Sequence, residues 1–97
     1  MKALALSPAA EADLDYIWEH SATNWGLDQA DRYTDEIRDA CLNLAAGVRH
    51  GRPVDVRSGY LKFATGTHMI YFRDQGDRLD IVRILHQRQD VIFNLPK

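Results

Sequence analysis

The sequence YLKFATGTHMIYFRDQGDRLDIVRIL, residues 60–85, decides the fold of this chain. It contains three largely apolar runs, which are residues 60–65, 68–73 and 79–85. Gly66 separates the first two runs, and the polar segment 74–77 separates the second from the third. Glycine and short polar segments between such runs are typical of hairpin turns. The segment therefore predicts three strands in an antiparallel meander.

Side chains on a strand alternate between the two faces of a sheet, so the sequence predicts the character of each face. With the second turn centred on Gly76, one face is cleanly apolar and is expected to pack under helices. It contains Ile70, Phe72, Val82 and Ile84. The other face mixes bulky apolar groups with arginines, as on a surface that binds a partner. It contains Met69, Tyr71, Arg73, Ile81, Arg83 and Leu85. A register slip of one residue would exchange the pairings.

The residues before the meander predict one strand and two helices. The short apolar segment 2–6 is expected to be a strand. Ser7 can cap a helix that begins at Pro8, and Gly26 can end it. The buried stripe of this helix is predicted as Ala10, Leu14, Ile17 and Ser21, widened by Trp18 and Trp25.

A second helix is predicted from about Asp28 to Gly47. Its apolar stripe contains Ala30, Tyr33, Ile37, Ala40 and Leu44, with Cys41 and Leu42 at its flank. Because the link between the two helices is short, residues 8–46 should form an antiparallel helical hairpin. The order of strand, helical hairpin and three strands is α+β, with the helices on one face of the sheet. Residues 1–97 are expected to form a single domain.

Charge is divided unevenly along the chain. Residues 1–46 contain three basic and nine acidic residues, whereas residues 47–97 contain nine basic and five acidic ones. This division indicates either two surfaces with different partners or helices with solvated acidic sides. No apolar run is long enough to cross a membrane, and the start does not resemble a signal peptide. The single cysteine, Cys41, fits a reducing compartment, so we expect a cytoplasmic protein.

The sequence offers little for catalysis. His20, His50, His68 and His86 do not have the spacing of a metal site, so neither a metal nor another cofactor is expected. Ser7 and Ser58 suit a cap and a turn, and Cys41 suits a core. Basic residues of the second half could contact phosphates or acidic side chains, or could provide only solubility and surface ion pairs. The candidates are Arg49, Arg52, Arg57, Lys62, Arg73, Arg83, His86 and Arg88.

Several motifs resemble those of ParE toxins, the ParE branch of the RelE/ParE toxin–antitoxin superfamily. They are LSPAAEADL at residues 6–14 with Ile17-Trp18, WGLDQADRY at 25–33, GRP at 51–53, RSGY at 57–60, GTH at 66–68, IYFR at 70–73 and IVRILHQRQD at 81–90. The resemblance runs nearly from end to end. The Trp25-Gly26 turn and the last motif are its most specific parts.

The resemblance implies a toxin that a ParD-like antitoxin neutralises and that inhibits DNA gyrase by binding, as plasmid-stabilisation toxins of this kind do. DNA would be contacted only through the antitoxin. The RelE branch implies a different activity, ribosome-dependent cleavage of messenger RNA. His68 occurs where that branch has arginine, and Phe93 occurs where it has a catalytic tyrosine, which favours a protein that is not an enzyme. A non-toxic corepressor is a third reading.

Two groups of residues are predicted to bind partners. The mixed sheet face and its neighbours suit an acidic, amphipathic antitoxin segment. This group is Tyr60, Lys62, Met69, Tyr71, Arg73, Ile81 and Arg83. The C-terminal group, expected to bind the target, is His86, Arg88, Asp90 and Phe93. Asp90 could instead cap a last helical turn, and Phe93 could fold back on the core.

Overall fold

The computed structural model describes residues 1–96 of the chain. The strands are β1 (Ala3–Leu6), β2 (Arg52–Pro53), β3 (Leu61–Thr65), β4 (His68–Asp74) and β5 (Arg78–His86). The helices are α1 (Pro8–Trp25), α2 (Leu27–Ala45) and α3 (Val91–Asn94). The predicted opening strand, helical hairpin and three-stranded meander are all present, which confirms the α+β class. No helix within residues 1–96 combines the length and apolar content needed to cross a membrane.

The strands form one sheet in the order β1-β5-β4-β3-β2. The pairs β3–β4 and β4–β5 are antiparallel, as the meander requires. β1 lies parallel to β5, with Leu6 opposite Ile81, so the helical hairpin is the crossover between β1 and the remaining strands. A parallel pair needs a long connection of this kind.

β2 extends the sheet beyond the predicted meander. Arg52 lies opposite Lys62, and Pro53 lies opposite Leu61. Two residues are too few to show an alternating pattern, so the sequence does not reveal this strand. Proline has no N–H to donate and is tolerated at the edge of a sheet. The sheet accordingly ends at β2.

The helical hairpin begins and reverses where the sequence predicts. The Oγ of Ser7 accepts a hydrogen bond from the N–H of Ala10 at 3.0 Å, and Pro8 lies in the first turn. Gly26 has a φ of 94° and joins α1 directly to α2. Residues with a Cβ rarely adopt this angle, so glycine is required at the reversal.

The predicted apolar stripes of α1 and α2 are confirmed in nearly every position. The buried residues are Ala10, Leu14, Ile17, Ser21, Ala30, Thr34, Ile37, Ala40, Cys41, Leu44 and Ala45. Trp25 is an exception, because it is 74% exposed at the last residue of α1. The prediction that it widens the stripe is wrong, since α1 ends there, beyond the main core.

The main core lies between the hairpin and the sheet. Ile37 of α2 packs there with Ile70 of β4 and Ile84 of β5, and all three are almost completely buried. Removing a side chain of this size from water stabilises the folded state by about 1.5–3 kcal/mol. This core packs the two helices against the central strands.

A bulge in β5 changes the predicted faces of that strand. Tyr71 lies opposite Arg83 and Phe72 opposite Ile81, which leaves Val82 as an extra residue. A bulge of one residue interrupts the alternation of side chains. Ile81 is therefore 0% exposed in the main core, whereas Val82 packs on the opposite face. Both face assignments were wrong, and Ile81 is not on the proposed antitoxin face.

The face of the sheet turned away from α1 and α2, called here the outer sheet face, carries a second and smaller core. Its buried residues are Val54, Tyr60, Tyr71, Leu85 and Leu95, with Met69, Val82 and Val91 at its margin. The loop before β3 and the C-terminal segment supply the residues that cover the strands. Tyr71 is only 5% exposed in consequence. The sequence predicted an open surface here, and the structure shows one that is partly closed.

Candidate functional site

The outer sheet face holds most of the residues predicted to bind an antitoxin. Arg73 is exposed, and Lys62 and Met69 are half-buried. The guanidinium of Arg73 lies over the ring of Tyr60, with its carbon 5.2 Å from the ring centre. Lys62 lies opposite Tyr71 across the β3–β4 pair. This face therefore combines accessible cations at its rim with tyrosines that are buried at its centre.

Arg83 was predicted on this face as an anchor for the partner, but the structure pairs it within the chain. Its Nε and Nη2 donate to the two carboxylate oxygens of Asp13 on α1, each at 2.8 Å. Its Nη1 donates to the carbonyl oxygen of Asn94 at 3.2 Å. The Asp13 carboxylate raises the pKa of Arg83. The guanidinium thus ties α1 to the C-terminal segment.

Asp13 also protects the open edge of β5. β1 pairs with β5 only as far as Ile81, so the last residues of β5 have no strand on the side away from β4. The backbone N–H of Ile84 donates instead to Oδ2 of Asp13 at 2.9 Å. The hydroxyl of Ser7 donates to the carbonyl oxygen of Val82 at 2.6 Å. Side chains from the start of α1 therefore satisfy backbone groups that would otherwise invite another strand.

The C-terminal segment presents apolar side chains to solvent. Asp90 caps α3 by accepting a hydrogen bond from the N–H of Ile92 at 2.8 Å, as the structural alternative for this residue predicted. Arg57 donates to the carbonyl oxygen of Ile92 at 2.6 Å. Phe93 is 86% exposed, so the alternative in which it folds back on the core is wrong. Leu95 is buried and anchors the segment beyond α3.

A cleft of about 1120 Å³ lies at the end of the helical hairpin and was not predicted. Its lining, which defines the hairpin cleft, includes Asp13, Tyr16, His20, Trp25, Asp28, Arg32, Tyr33, His68, His86 and Arg88. His86 and Arg88 of the predicted target-binding group are here, whereas Phe93 is on α3. The four residues of that group are therefore divided between two surfaces. The histidines were a partial signal for this cleft, because they are titratable residues outside the predicted apolar stripes.

Tyr33 fixes one wall of the hairpin cleft. Its hydroxyl accepts a hydrogen bond from the backbone N–H of Thr67 at 3.1 Å and lies 2.6 Å from Nδ1 of His68. The turn between β3 and β4 is pressed against this ring, and a Cβ at Gly66 would lie 2.6 Å from it. α2 and the β3–β4 turn are thus joined through Tyr33 and His68.

His68 and His86 lie together in the hairpin cleft. Their ring centres are 5.4 Å apart, and the ring planes are nearly perpendicular. Burial, and secondly the neighbouring His86, lower the pKa of His68 to about 4. His68 is consequently neutral near pH 7. It has no proton to give as a general acid there, because the charged form is almost absent.

The remaining candidates for chemistry are structural. Burial raises the pKa of the Cys41 thiol to about 11, so the reactive thiolate is scarce. Within residues 1–96, no three histidine, cysteine or acidic residues are grouped in a way that could hold a metal ion. Neither observation supplies a nucleophile or a metal-bound water for catalysis.

Comparison with solved structures identifies the class of the fold. A chain of the chromosomal ParDE toxin–antitoxin system from P. aeruginosa superposes with a TM-score of 0.77 at 27% identity, covering 89% of this chain and 96% of that one. A chain of the toxin–antitoxin complex RelBE2 from Mycobacterium tuberculosis gives 0.64 at 19% identity, covering 88% and 96%. The second likeness concerns the fold alone. Together they show the RelE/ParE toxin architecture.

Comparison of sequences narrows the class to one family. The family model described as the ParE toxin of type II toxin–antitoxin systems, parDE, matches residues 4–91. Toxin ParE1 of Mycobacterium tuberculosis is 46% identical over 92 residues, which is 93% of this chain and 94% of that toxin. Toxin ParE1 of Caulobacter vibrioides is 40% identical over 96 residues, which is 98% and 99% of the two chains. The chain belongs to the ParE toxin family.

Proposed function

We propose that this ParE-family toxin inhibits DNA gyrase by binding, without catalysis, and that a ParD-like antitoxin neutralises it by covering part of its surface. Action on gyrase places the protein in the cytoplasm. The observation that carries the proposal is Phe93, which is held 86% exposed by a segment that is itself anchored. A large apolar side chain that is fixed in solvent is typical of a surface made for a protein partner.

The C-terminal segment supports binding to the target in a second way. Ile92 is half exposed beside Phe93, and Asp90 and Leu95 fix α3 on either side. Anchored apolar groups lose little conformational freedom when they are buried in a complex. Phe93 also has no hydroxyl with which to transfer a proton. These features support a toxin that acts by contact.

Gyrase inhibition can be tested with a supercoiling assay. We expect the purified chain to inhibit supercoiling, and Phe93→Ala to need at least about ten times more protein for the same inhibition, because a central aromatic anchor is worth over 1 kcal/mol. Val48→Ala truncates another exposed apolar side chain, outside α3. The amount of this variant needed for the same inhibition should stay within about twofold of that of the unmodified chain. Cleavage of ribosome-bound message without inhibition of gyrase would overturn the proposal in favour of a RelE-like nuclease.

For the antitoxin we propose the accessible rim of the outer sheet face. Lys62, Met69 and Arg73 form this rim, with Tyr60 and Tyr71 buried behind it. The second half of the chain has a surplus of basic residues, which suits an acidic segment. The similar chain from P. aeruginosa belongs to a ParDE toxin–antitoxin system, which supports an antitoxin as the partner. Arg83 and Ile81 contribute through the fold, because one is paired and the other is in the main core.

The rim can be tested by charge reversal. Arg73→Glu should weaken binding of the ParD-like antitoxin by at least about tenfold, because it replaces an attraction with a repulsion. Arg38→Glu makes the same change on the exposed side of α2 and should alter the affinity by less than about twofold. Equal effects of the two substitutions, measured by titration calorimetry, would show that net charge and not the outer sheet face determines binding.

A further inference from the structure

We propose that His68 and His86 form a site in the hairpin cleft that binds one carboxylate group, contributed by the antitoxin. The antitoxin's part in this statement rests on the proposed function. Two independent observations support the site. They are the hydrogen bonds that fix the tautomer of each ring and the balance of charge around the cleft.

The tautomer of His86 follows from its contact with the main chain. The backbone N–H of Arg88 donates to Nδ1 of His86 at 3.2 Å. A backbone N–H can only donate, so Nδ1 of His86 carries no hydrogen. The single hydrogen of the neutral ring is therefore on Nε2. His86 thus keeps one N–H donor for another partner.

The tautomer of His68 follows from the hydroxyl of Tyr33. This hydroxyl accepts from the N–H of Thr67, and its own hydrogen needs an acceptor. Nδ1 of His68 is 2.6 Å away, whereas the carbonyl oxygen of Thr65 and the hydroxyl of Thr67 are 3.5 and 3.4 Å away. The hydrogen belongs on the shortest of these contacts, so Nδ1 of His68 accepts. His68 therefore also carries its hydrogen on Nε2.

Two N–H donors are consequently available in one cleft. The hydrogen bonds of both rings within residues 1–96 use Nδ1 alone. The ring centres are 5.4 Å apart, and both rings line the cleft. A carboxylate has two oxygens that only accept, and it can take one bond from each ring. Such bonds to an ionised acceptor are stronger than those to a neutral one.

The charges around the cleft favour a single carboxylate. The charged or titratable side chains that line it are Asp13, Asp28, Arg32, Arg88, Tyr16, Tyr33, His20, His68 and His86. Asp13 is neutralised by Arg83. Arg32 and Arg88 then exceed Asp28 by one positive charge, which one carboxylate balances. A run of nucleic-acid phosphates would bring more negative charge than this surplus can neutralise.

The site also suggests how neutralisation occurs. His86 and Arg88 belong to the C-terminal group that the sequence predicts to bind the target. An antitoxin carboxylate bound between His68 and His86 would occupy that part of the surface. Antitoxin and target would then compete for the hairpin cleft.

Nuclear magnetic resonance of the free chain tests the site directly. We expect long-range ¹H–¹⁵N spectra near pH 7 to show both rings as the Nε2–H tautomer. Sodium acetate should shift the Nε2 signals of His68 and His86 saturably, whereas His50, which is exposed in the loop before β2, should serve as an internal control and move little. An Nδ1–H tautomer in either ring, or equal shifts at His50, would overturn the proposal.

Two variants of His68 provide a matched comparison. Glutamine places an amide donor near the position of Nε2, and asparagine places one near Nδ1. His68→Asn should weaken acetate binding by at least about threefold, as expected for one lost hydrogen bond, and His68→Gln should stay within about twofold. Inorganic phosphate is titrated in parallel. Saturable binding of phosphate without binding of acetate would overturn the carboxylate assignment and favour a phosphoryl ligand.

The complex with the ParD-like antitoxin tests the source of the carboxylate. Formation of the complex should shift the Nε2 signals of both rings in the same direction as acetate does. If the complex forms and these signals do not move, the antitoxin does not supply the group, although the proposed function stands. If no complex forms, the antitoxin part of the proposed function fails, while the acetate titration still decides whether the site exists.

Discussion

The two faces of the sheet are closed in different ways. On the inner face, the long helices α1 and α2 cover Ile70, Phe72 and Ile84, and the two helices also pack on each other. On the outer face, a loop and the four-residue helix α3 cover Tyr71 and Leu85. The same alternation of side chains along β4 and β5 thus supplies two cores of different size.

Because of this difference, we expect the inner core to determine stability and the surface beside the outer core to bind partners. The inner core is large and is closed by elements that also hold each other, so it should fix the fold. The outer core is closed by a loop and a four-residue helix, and local opening of such small elements has a low free-energy cost. Residues proposed to meet partners lie beside this weaker core. We therefore expect substitutions on the two faces to affect different properties.

The largest effect should come from the inner core. Ile70→Ala is expected to lower the free energy of unfolding by about 4 kcal/mol, because it leaves a cavity that rigid neighbours on both sides cannot fill. Urea unfolding followed by circular dichroism measures the change. Val48→Ala, on an exposed side chain, should cost less than about 0.5 kcal/mol. If Ile70→Ala lowers the free energy of unfolding by less than about 2 kcal/mol, the inner core does not determine the stability of the fold.

The next effect should come from the link between the two faces. Asp13→Asn removes the charge that Arg83 requires, and the side chains of Asp13 and Arg83 are 14% and 23% exposed. Breaking a fully buried pair costs about 3–5 kcal/mol, so this partly exposed pair should cost about 2 kcal/mol.

Asp15→Asn, at an exposed position of the same helix, provides the control and should have little effect. Arg83→Gln should lower the free energy of unfolding less in the Asp13→Asn variant than in the unmodified chain. The reason is that in the variant it removes a guanidinium that is already unpaired. Additive losses in this double-mutant cycle would show that the two side chains are not coupled.

A smaller effect is expected at the outer core. Leu95→Ala should lower the free energy of unfolding by about 1.5 kcal/mol, below the usual range for a buried leucine, because the short segment around α3 can shift to fill the space. Amide hydrogen exchange should become faster in α3 and in the loop 54–60, and it should stay unchanged in α1. Faster exchange in α1 as well would mean that the two cores open together.

The sequence predicted the elements better than it predicted the surfaces. The periods of α1 and α2 and the alternation in β4 depend on local side-chain spacing, so their bounds agree with the structure within a few residues. The bulge at Val82 depends on how β5 pairs with β4, and no pattern within β5 reveals it. It reversed the faces of Ile81 and Val82 for that reason.

The candidate surfaces depend on long-range contacts. Tyr60 and Tyr71 were correctly placed near the outer face, but their burial requires α3 to fold back, and a four-residue helix has no period to detect. Arg83 was expected to bind a partner protein, but in the structure it is paired with Asp13, which lies seventy residues earlier in the chain. The hairpin cleft was missed because it joins the end of α1 to the ends of β4 and β5, which are distant in sequence.

The smallest effect should appear where the inner core opens into the hairpin cleft. His68 has a pKa of about 4 in the fold against an ordinary value of 6.5. The unfolded chain therefore binds more protons than the folded one between these values, and stability must fall as the pH is lowered through that window. Because His68 is only about half buried, solvent screens part of this difference, and we expect a loss of about 1 kcal/mol.

Urea unfolding at pH 7.5 and pH 5 measures this loss of stability. His68→Gln should remove this part of the pH dependence, whereas His50→Gln, in the exposed loop, should keep it. An unchanged pH dependence in His68→Gln would mean that the ring is already solvated in the cleft. The contrast between a firmly closed inner face and a weakly closed outer face would then hold only for the centre of the sheet.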